Sequence, residues 1–506
     1  MFAEIKGILK HSVVYLAGTL ASRMVGFVMI PVYTHYLTTE EYGTLELLDL
    51  TSYLIGLLLA MGVAQSVVRL YHDYDDQVRQ NRVVSVAMIT LWVASAFSAI
   101  WLLLFARDIS QLVFKSPDYL QLFHLIFVTM ILNLNIEIPM NLLLIRERSV
   151  LYNVINLVRL AINLSLNIIF IVYLGMGVKG ILLGGLLTSA VTGVFLTIFT
   201  IRQIGLSFSR QTFFDMLKYG TPLIGSWLGM FIVNFGDRFI LQRFASLSDV
   251  GIYSLAYKFG MLPNFLVLTP FMLIWGPKRF EIARLDDAKR TYSYVFTYFL
   301  FVQLFIGLGV SVLIKDVVSI VADSEYHSAY MYVPMIILSY VLWGCYSYAQ
   351  LGMLLEKKTK YLAYASGIGA AVNVGANLLL IPELKLWGAS IATLITFGVI
   401  FCFVYNRSQK LYNIPYQLAR IAKMTFCAFG LLAIASIIDI SNVFLSIVTK
   451  FSLACCFPVV LYFLRFYTAT ELAKMREGVH RIKILTTESV LPRIPLINRL
   501  IGKGRR

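Results

Sequence analysis

The sequence predicts an all-α polytopic membrane protein of about fourteen transmembrane helices, arranged as two pseudo-symmetric six-helix lobes plus two extra helices. Composition is the first reason, because a mean hydropathy of +0.77 with 59% apolar residues exceeds what a soluble domain could hide from water. The second is a series of apolar runs, each long enough to cross a hydrocarbon core of ~30 Å as a helix. The third is an internal repeat.

The apolar runs recur along the whole chain and are continuous. Continuous runs favour helices, whereas the strands of a membrane barrel would alternate apolar and polar residues. The predicted spans are 12–34, 45–68, 83–105, 119–145, 150–174, 179–201, 217–241, 251–275, 292–314, 328–355, 360–381, 386–406, 415–437 and 443–464.

The repeat relates the first half of the chain to the second. The segment TTEEYGTLELLDL (38–50) aligns with SLSDVGIYSLAYK (246–258), and this alignment places Gly43 on Gly251. The segments RERSVLY and EKKTKYL, which begin at Arg146 and Glu356, align at nearly the same separation. A pair of asparagines in each half gives a third match. The matches indicate a parallel duplication, the plan of transporters that bind substrate between two lobes and expose it alternately to each side.

The duplication sets the predicted domain organisation. The N-lobe (1–208) holds spans 1–6, and the C-lobe (209–410) holds spans 7–12. Spans 13 and 14 occupy 411–467 and have no counterpart in the first half. A basic tail (468–506) follows.

The formal charge of +16 reflects membrane topology rather than nucleic-acid binding. Most of the 43 Lys and Arg residues lie in the segments that share one side of the membrane with both termini. This positive-inside bias predicts cytoplasmic termini and a multi-pass protein of the bacterial inner membrane, without a cleaved signal peptide. The tail is expected to lie on the anionic inner leaflet, and the alternative is a docking site for a cytoplasmic partner.

Four cations within spans are candidates for substrate binding. A charge at mid-membrane costs at least ~2.5–3.5 kcal/mol, so each one needs a partner or a function. Arg23, Arg159 and Lys258 would form a cationic lumen drawn from both lobes. The alternatives are internal ion pairs and, for Lys258, a side chain that reaches the interface. Arg238 follows Asp237 directly, and the ~100° between helix neighbours predicts different partners for the two.

Three intramembrane acids are candidates for proton or sodium coupling. Glu137 lies in NLNIEIPMNLLL and is the strongest of them, with a structural ion pair as the alternative. Asp237 is the second. Asp49 is the third and also a candidate partner for Arg23 or Lys258.

The repeated asparagines are Asn163 and Asn167 in the first half and Asn373 and Asn377 in the second. Each pair is spaced i, i+4 and therefore lies on one helix face. Helix packing through hydrogen bonds is the favoured interpretation, and contact with a sugar is the alternative.

The sequence contains no sign of an enzyme, a metal site or a bound cofactor. The five cysteines lie in predicted helices without metal-ligand spacing, and no phosphate-binding G-x-x-x-x-G-K-[ST] motif is present. We therefore expect transport without covalent chemistry.

Two motifs resemble a known family. The stretch TLASRMVGF (19–27) resembles the first-helix pattern T-L-x-S-R-x-x-G-F of bacterial flippases related to the lipid II flippase. The stretch DRFILQRFASLSDVGIYSLAYK (237–258) is similar to the seventh- and eighth-helix signature of Wzx-type O-antigen and exopolysaccharide flippases. Both groups belong to the superfamily that includes multidrug and toxin extrusion transporters.

The resemblance implies a flippase that moves an undecaprenyl-pyrophosphate-linked oligosaccharide from the inner to the outer leaflet. It implies that Arg23 contacts the lipid pyrophosphate and that spans 13 and 14 hold the lipid tail. Other partners would be H⁺ or Na⁺ and a polysaccharide polymerase or another assembly protein. Val28, Met29 and Ile30 replace charges of the lipid II relatives, which favours a sugar-repeat-unit substrate. The rival functions are an ion-coupled exporter of cationic drugs and a membrane scaffold for polysaccharide enzymes.

Overall fold

The described residues of this computed structural model, 26–438 and 440–473, form helices and connecting turns without a β-strand. The prediction of an all-α protein is confirmed. By length and composition, ten helical segments of this part of the chain can cross a membrane, or eleven with the bent pair Ser324–Met331 and Val333–Leu355 as one span. The protein is therefore a multi-pass membrane protein.

The first half contains eight helices within the described residues, and the first of these comprises residues 26–36. They are α1 (26–36), α2 (Thr39–Leu59), α3 (Val63–Tyr71), α4 (Gln77–Leu104), α5 (Ala106–Phe114), α6 (Leu120–Ile145), α7 (Ser149–Ile168) and α8 (Gly177–Ile204). A π-helical turn, Ile169–Tyr173, extends α7.

The second half begins with the helix Arg210–Phe244 and ends with the two extra helices. Its helices are α9 (Arg210–Phe244), α10 (Leu247–Gly260), α11 (Thr269–Ile282), α12 (Ala288–Val321), α13 (Val333–Ala349), α14 (Leu351–Leu355), α15 (Lys360–Leu411), α16 (Leu418–Ile437) and α17 (Val443–Phe463).

Every predicted span from residue 45 onward coincides with one helix or with consecutive helices, but the boundaries differ in places. Span 45–68 divides into α2 and α3 at a turn where Gly62 has φ 66°. Spans 360–381 and 386–406 are the two parts of α15, which is interrupted at Lys385 (φ 47°). Pro382 lies three residues before this break and removes one hydrogen bond of the first part, because it has no N–H to donate.

The aligned repeat segments adopt matching local structures. The side chains of Thr38 and Ser246 occupy aligned positions, and each accepts a hydrogen bond at the start of its helix, α2 or α10. At the ends of α6 and α14, Glu147 and Lys357 have φ 55° and 54°. The next residue in each turn donates its N–H across 2.8 Å to a carbonyl five residues earlier.

The two halves meet where α2 crosses α10. A Cβ atom on Gly43 would overlap the carbonyl oxygen of Leu247, and one on Gly251 would overlap that of Thr39. Beside this crossing, the hydroxyls of Thr39 and Ser248 lie 2.7 Å apart. The glycines that the repeat aligns therefore allow the helices to touch backbone to backbone.

A second close crossing joins α3 to α9. A Cβ atom on Gly220 would overlap the carbonyl oxygen of Met61 and lie 2.8 Å from the carbonyl carbon of Gly62. The Ser66 hydroxyl donates a 2.9 Å hydrogen bond to the carbonyl of Met216. The halves are thus in contact near both ends of α2.

A buried ion pair fixes α17 to α12. The Lys450 ammonium lies 2.7 Å from the Asp316 carboxylate, which also accepts a 2.9 Å hydrogen bond from Ser446. In a low-dielectric interior such a group keeps its charge only with partners, so the triad specifies where α17 docks.

Candidate functional site

A cavity of about 930 Å³ lies inside the first half of the bundle. The α2 residues that line it extend from Asp49 to Leu57, and Ala60 follows at the end of the helix. This wall lies between the crossing at Gly43 and the turn at Gly62. Helices α1, α3, α6, α7 and α8 supply the rest. Among the described lining residues, the second half of the chain supplies Trp227 of α9. A polar-walled space of this size within membrane helices is a site by the usual criteria for ligand pockets.

Helices α6 and α7 each present a polar stripe to the cavity. The α6 stripe is Asn133, Glu137 and Asn141, spaced i, i+4, i+8. The α7 stripe has the same kind of helical spacing and consists of Tyr152, Asn156, Arg159, Asn163 and Asn167. Such spacing puts every member of a stripe on one helix face. In helices otherwise apolar enough to span a membrane, these side chains can stay only beside water, protein or a ligand.

Hydrogen bonds hold part of the stripes in place. Arg159 Nη2 donates to Asn133 Oδ1 across 3.0 Å, and the Ser189 hydroxyl donates to the same oxygen across 3.0 Å. Within the described part of the chain, Glu137, Asn141 and Asn156 form no hydrogen bond through their side chains. They are therefore available to a ligand or to water in the cavity.

The two asparagine pairs form the same internal bond but have different surroundings. Asn167 donates to Asn163 across 3.1 Å, and Asn377 donates to Asn373 across 3.0 Å. The first pair lines the cavity, and Asn167 also donates to the Tyr33 hydroxyl across 3.0 Å. The second pair is 0% exposed and packs among α9 and α15. Sugar contact by either pair stays a prediction.

The two predicted cations of the second half lie away from the cavity lining. The Lys258 ammonium donates to the Tyr42 hydroxyl across 2.5 Å, so it joins α10 to α2 near the glycine crossing. Arg238 is 2% exposed and lies over the ring of Tyr257 at 3.8 Å. Arg23 lies outside the described residues. Substrate contact by these three residues, and by Arg159, stays a prediction.

The expectation that Asp237 and Arg238 have different partners is wrong. Arg238 Nη1 lies 2.7 Å from Asp237 Oδ1 and donates to the Asn234 carbonyl across 2.7 Å. The long arginine side chain bends back along its own helix, which overcomes the angle between neighbours. The Tyr253 hydroxyl donates to the other Asp237 oxygen across 2.8 Å. This buried cluster compensates both charges and leaves Asp237 outside the cavity.

Of the predicted coupling acids, the structure brings Asp49 and Glu137 together in the cavity wall with Arg159. The described wall therefore carries two carboxylates and one guanidinium. The sequence predicts a cationic lumen, because Lys258 and Arg238 are assigned to the same space when their local partners are unknown. Asn133, Asn141 and Asn156 were missed, although helical spacing with Glu137 and Asn163 in two apolar runs could have indicated them. Trp227 was also missed, and its sequence context gives no such signal.

A second, more apolar pocket of about 610 Å³ lies between α12, α13 and α16. Phe429 and Leu432 of α16 line it, together with Leu338 of α13 and Lys450 of α17. The Lys450–Asp316 pair lies at its edge. Both α16 and α17 therefore contribute residues to this pocket.

Residues 8–281 match the protein family described as "Polysaccharide biosynthesis protein", which is more than half of the chain. The chain belongs to this family. Among curated proteins, this family member is 24% identical over 255 residues to the succinoglycan biosynthesis transport protein ExoT of Rhizobium meliloti (strain 1021). The match covers 50% of the chain and 49% of the relative, so it spans about half of that relative's length.

Solved structures show the fold. The family member is similar to a structure described as "Lipid II flippase MurJ, inward closed conformation", with a TM-score of 0.73 and 14% identity over 90% of this chain and 100% of that one. An inward-facing multidrug resistance MATE family transporter of the MOP superfamily gives a TM-score of 0.62 with 16% identity, covering 77% and 97%. The family member therefore shares the fold of these two proteins.

Proposed function

We propose that the protein is a flippase that carries an undecaprenyl-pyrophosphate-linked oligosaccharide across the bacterial cytoplasmic membrane for surface polysaccharide assembly. The supporting observation is the polar-walled cavity of about 930 Å³ within the membrane helices, between two contacts of the chain halves. A sugar–pyrophosphate headgroup cannot cross hydrocarbon unaided, because each buried polar group would lose its hydrogen bonds to water. The prenyl tail can remain in lipid throughout.

The proposed architecture is fourteen spans in two pseudo-symmetric lobes, 1–208 and 209–410. The matched N-caps of α2 and α10 and the matched ends of α6 and α14 support it. In the proposed cycle, the Gly43/Gly251 and Gly62/Gly220 contacts open in turn and expose the cavity first to one leaflet and then to the other.

We propose that the extra spans, 411–467, accommodate the lipid tail. The apolar pocket between α12, α13 and α16 supports this role, because apolar surface facing lipid can hold a prenyl chain without dehydrating polar groups. The headgroup would occupy the cavity of the first half while the tail stays at the bundle surface.

The proposed headgroup contacts are Arg23 and Arg159, with Lys258 and Arg238 recruited when α2 and α10 separate. Arginine suits a pyrophosphate because its planar fork donates two charge-assisted hydrogen bonds. Glu137 and Asp49 are the proposed H⁺ or Na⁺ coupling groups, since both line the cavity. Asp237 would couple only after its release from Arg238.

We propose an inner-membrane location with both termini in the cytoplasm. Residues 468–506 would then lie on the anionic inner leaflet, where clustered Lys and Arg are attracted by the negative surface potential. A polysaccharide polymerase or another assembly protein would receive the translocated substrate.

Transfer of a labelled undecaprenyl-pyrophosphate-oligosaccharide across liposomes that contain the purified protein tests the proposal. We expect transfer by the wild type and a loss of at least tenfold in Arg159→Ala and Arg23→Ala. Arg202→Ala is the matched control, because Arg202 is exposed at the end of α8 and does not line the cavity. Absence of wild-type transfer under imposed voltage, proton and sodium gradients would contradict the flippase.

A second candidate is an ion-coupled exporter of cationic compounds. The observation that favours it is the pair of carboxylates, Asp49 and Glu137, in the described cavity wall. Gradient-driven accumulation of a cationic dye in the same liposomes, abolished by Glu137→Gln, would support the exporter over the flippase.

A further inference from the structure

We propose that the facing polar stripes of α6 and α7 recognise the saccharide part of the cargo, and that they select an uncharged chain of more than one sugar. This inference rests on the proposed function and assigns a task to one wall of its cavity. It concerns specificity, whereas the cations of the previous section concern the phosphates.

The chemistry of the stripes matches sugar hydroxyls. Each hydroxyl is both a donor and an acceptor, and a primary amide offers two donors and a carbonyl acceptor at one point. Asn141 on α6 and Asn156 on α7 keep this capacity unused within the described chain, and both side chains face the cavity. Amides without partners in membrane helices are costly, so a polar ligand explains them better than packing does.

The stripes are long enough for several sugar rings. From Asn133 to Asn141 the α6 stripe extends ~12 Å, and from Asn156 to Asn167 the α7 stripe extends ~16 Å, at 1.5 Å per residue. The cavity volume of about 930 Å³ is near the upper end of the ~300–1,000 Å³ of ordinary ligand pockets. A single sugar would reach only part of either stripe.

Trp227 completes the site as an apolar platform. It reaches the cavity from α9, across the interface between the halves, and its ring can cover the C–H face of a sugar while the stripes bind the hydroxyls. Since α9 belongs to the other half, opening either glycine crossing would move Trp227 relative to the stripes. Sugar binding would thereby be coupled to the state of the transporter.

The charges of the wall indicate an uncharged saccharide. Glu137 lies on the α6 stripe and Asp49 faces it from α2, against Arg159 on α7. Because Arg159 is assigned to the pyrophosphate, an acidic sugar would face Glu137 and Asp49 without a second cation among the described lining residues to compensate its charge. The amides carry no charge and do not discriminate against a neutral chain.

The test compares two lipid-linked substrates in the liposome assay, undecaprenyl-pyrophosphate with one neutral sugar and the same lipid with a neutral oligosaccharide. We expect the wild type to transfer the longer substrate at least tenfold more efficiently. The double variant Asn141→Leu/Asn156→Leu should lose about 10- to 100-fold on the longer substrate and little on the shorter, because each amide supplies one or two hydrogen bonds. Asn234→Leu is the matched control, since the Asn234 amide donates to its own helix at Met230.

Equal losses on both substrates, or an unchanged preference in the double variant, would overturn the inference. If the wild type transfers neither substrate, the proposed function fails, and binding to the purified protein decides the inference separately. Ligand-observed NMR with a free neutral gluco-oligosaccharide should then give a signal that Trp227→Ala and the double variant abolish. An oligogalacturonate of equal length should give a weaker signal, and a stronger one would overturn the selection of uncharged chains.

Discussion

Closure of the α2/α10 contact should depend on the absence of a side chain at Gly251. An alanine Cβ there would overlap the carbonyl oxygen of Thr39 and lie 3.0 Å from its carbonyl carbon and 3.1 Å from the Gly43 nitrogen. All three atoms belong to helix backbone and cannot rotate away. Gly251→Ala should therefore push α2 and α10 apart.

The magnitude follows from the cost of overpacking. An added methyl group in a close-packed contact costs ~1–3 kcal/mol. Since ~1.4 kcal/mol corresponds to a factor of ten, the ratio of closed to open crossings should fall by about 5- to 140-fold. Separation of the helices would also weaken the 2.7 Å contact between Thr39 and Ser248. Alanine is the better helix former by ~1 kcal/mol, but this preference acts on α10 in both states and therefore cancels in the ratio.

Disulfide formation between Thr39→Cys and Ser248→Cys measures this contact directly, in a background without the five native cysteines. The pair should cross-link rapidly in the otherwise wild-type protein and more slowly with Gly251→Ala. Gly375→Ala is the control, because Gly375 is also helical and nothing lies within 4 Å of its Cβ position. Equal cross-linking rates in Gly251→Ala and Gly375→Ala would refute the reasoning.

Further substitutions separate roles within the bundle. Asp237→Asn should lower the free energy of unfolding in detergent by ~3–5 kcal/mol, because it leaves the buried Arg238 guanidinium uncompensated; a loss below ~1 kcal/mol would contradict this. Asn373→Ala should cost ~1–3 kcal/mol in the same assay, whereas Asn163→Ala should impair transfer more than stability, since only Asn163 lines the cavity. Burial raises the pKa of Glu471, but hydrogen bonds from Thr468, Tyr298 and Arg420 outweigh burial and lower the pKa overall. The ionised carboxylate should therefore contribute ~1 kcal/mol or less to the free energy of unfolding at neutral pH, and this contribution should be lost as pH falls through the folded-state pKa. A melting temperature with the same acid dependence in Glu471→Gln and wild type would contradict that assignment.

The sequence by itself determined the fold class and the positions of the described spans. Apolar runs of membrane length must form helices, because the bilayer offers no other partner for the backbone. The repeat aligned Gly43 with Gly251, and these residues proved to be the point where α2 meets α10. Such features are local, so spacing and composition are sufficient to predict them.

Only the tertiary structure decided which charges share a space. Lys258 and Arg238 look like lumen cations in a linear sequence, but their side chains reach Tyr42 and Asp237. The asparagine pairs have equal spacing, and yet Asn163 faces a cavity while Asn373 is buried. Spacing along a helix fixes which residues share a face, but the neighbouring helices decide what that face meets. Burial and charge compensation are properties of those neighbours, which lie far away in the chain.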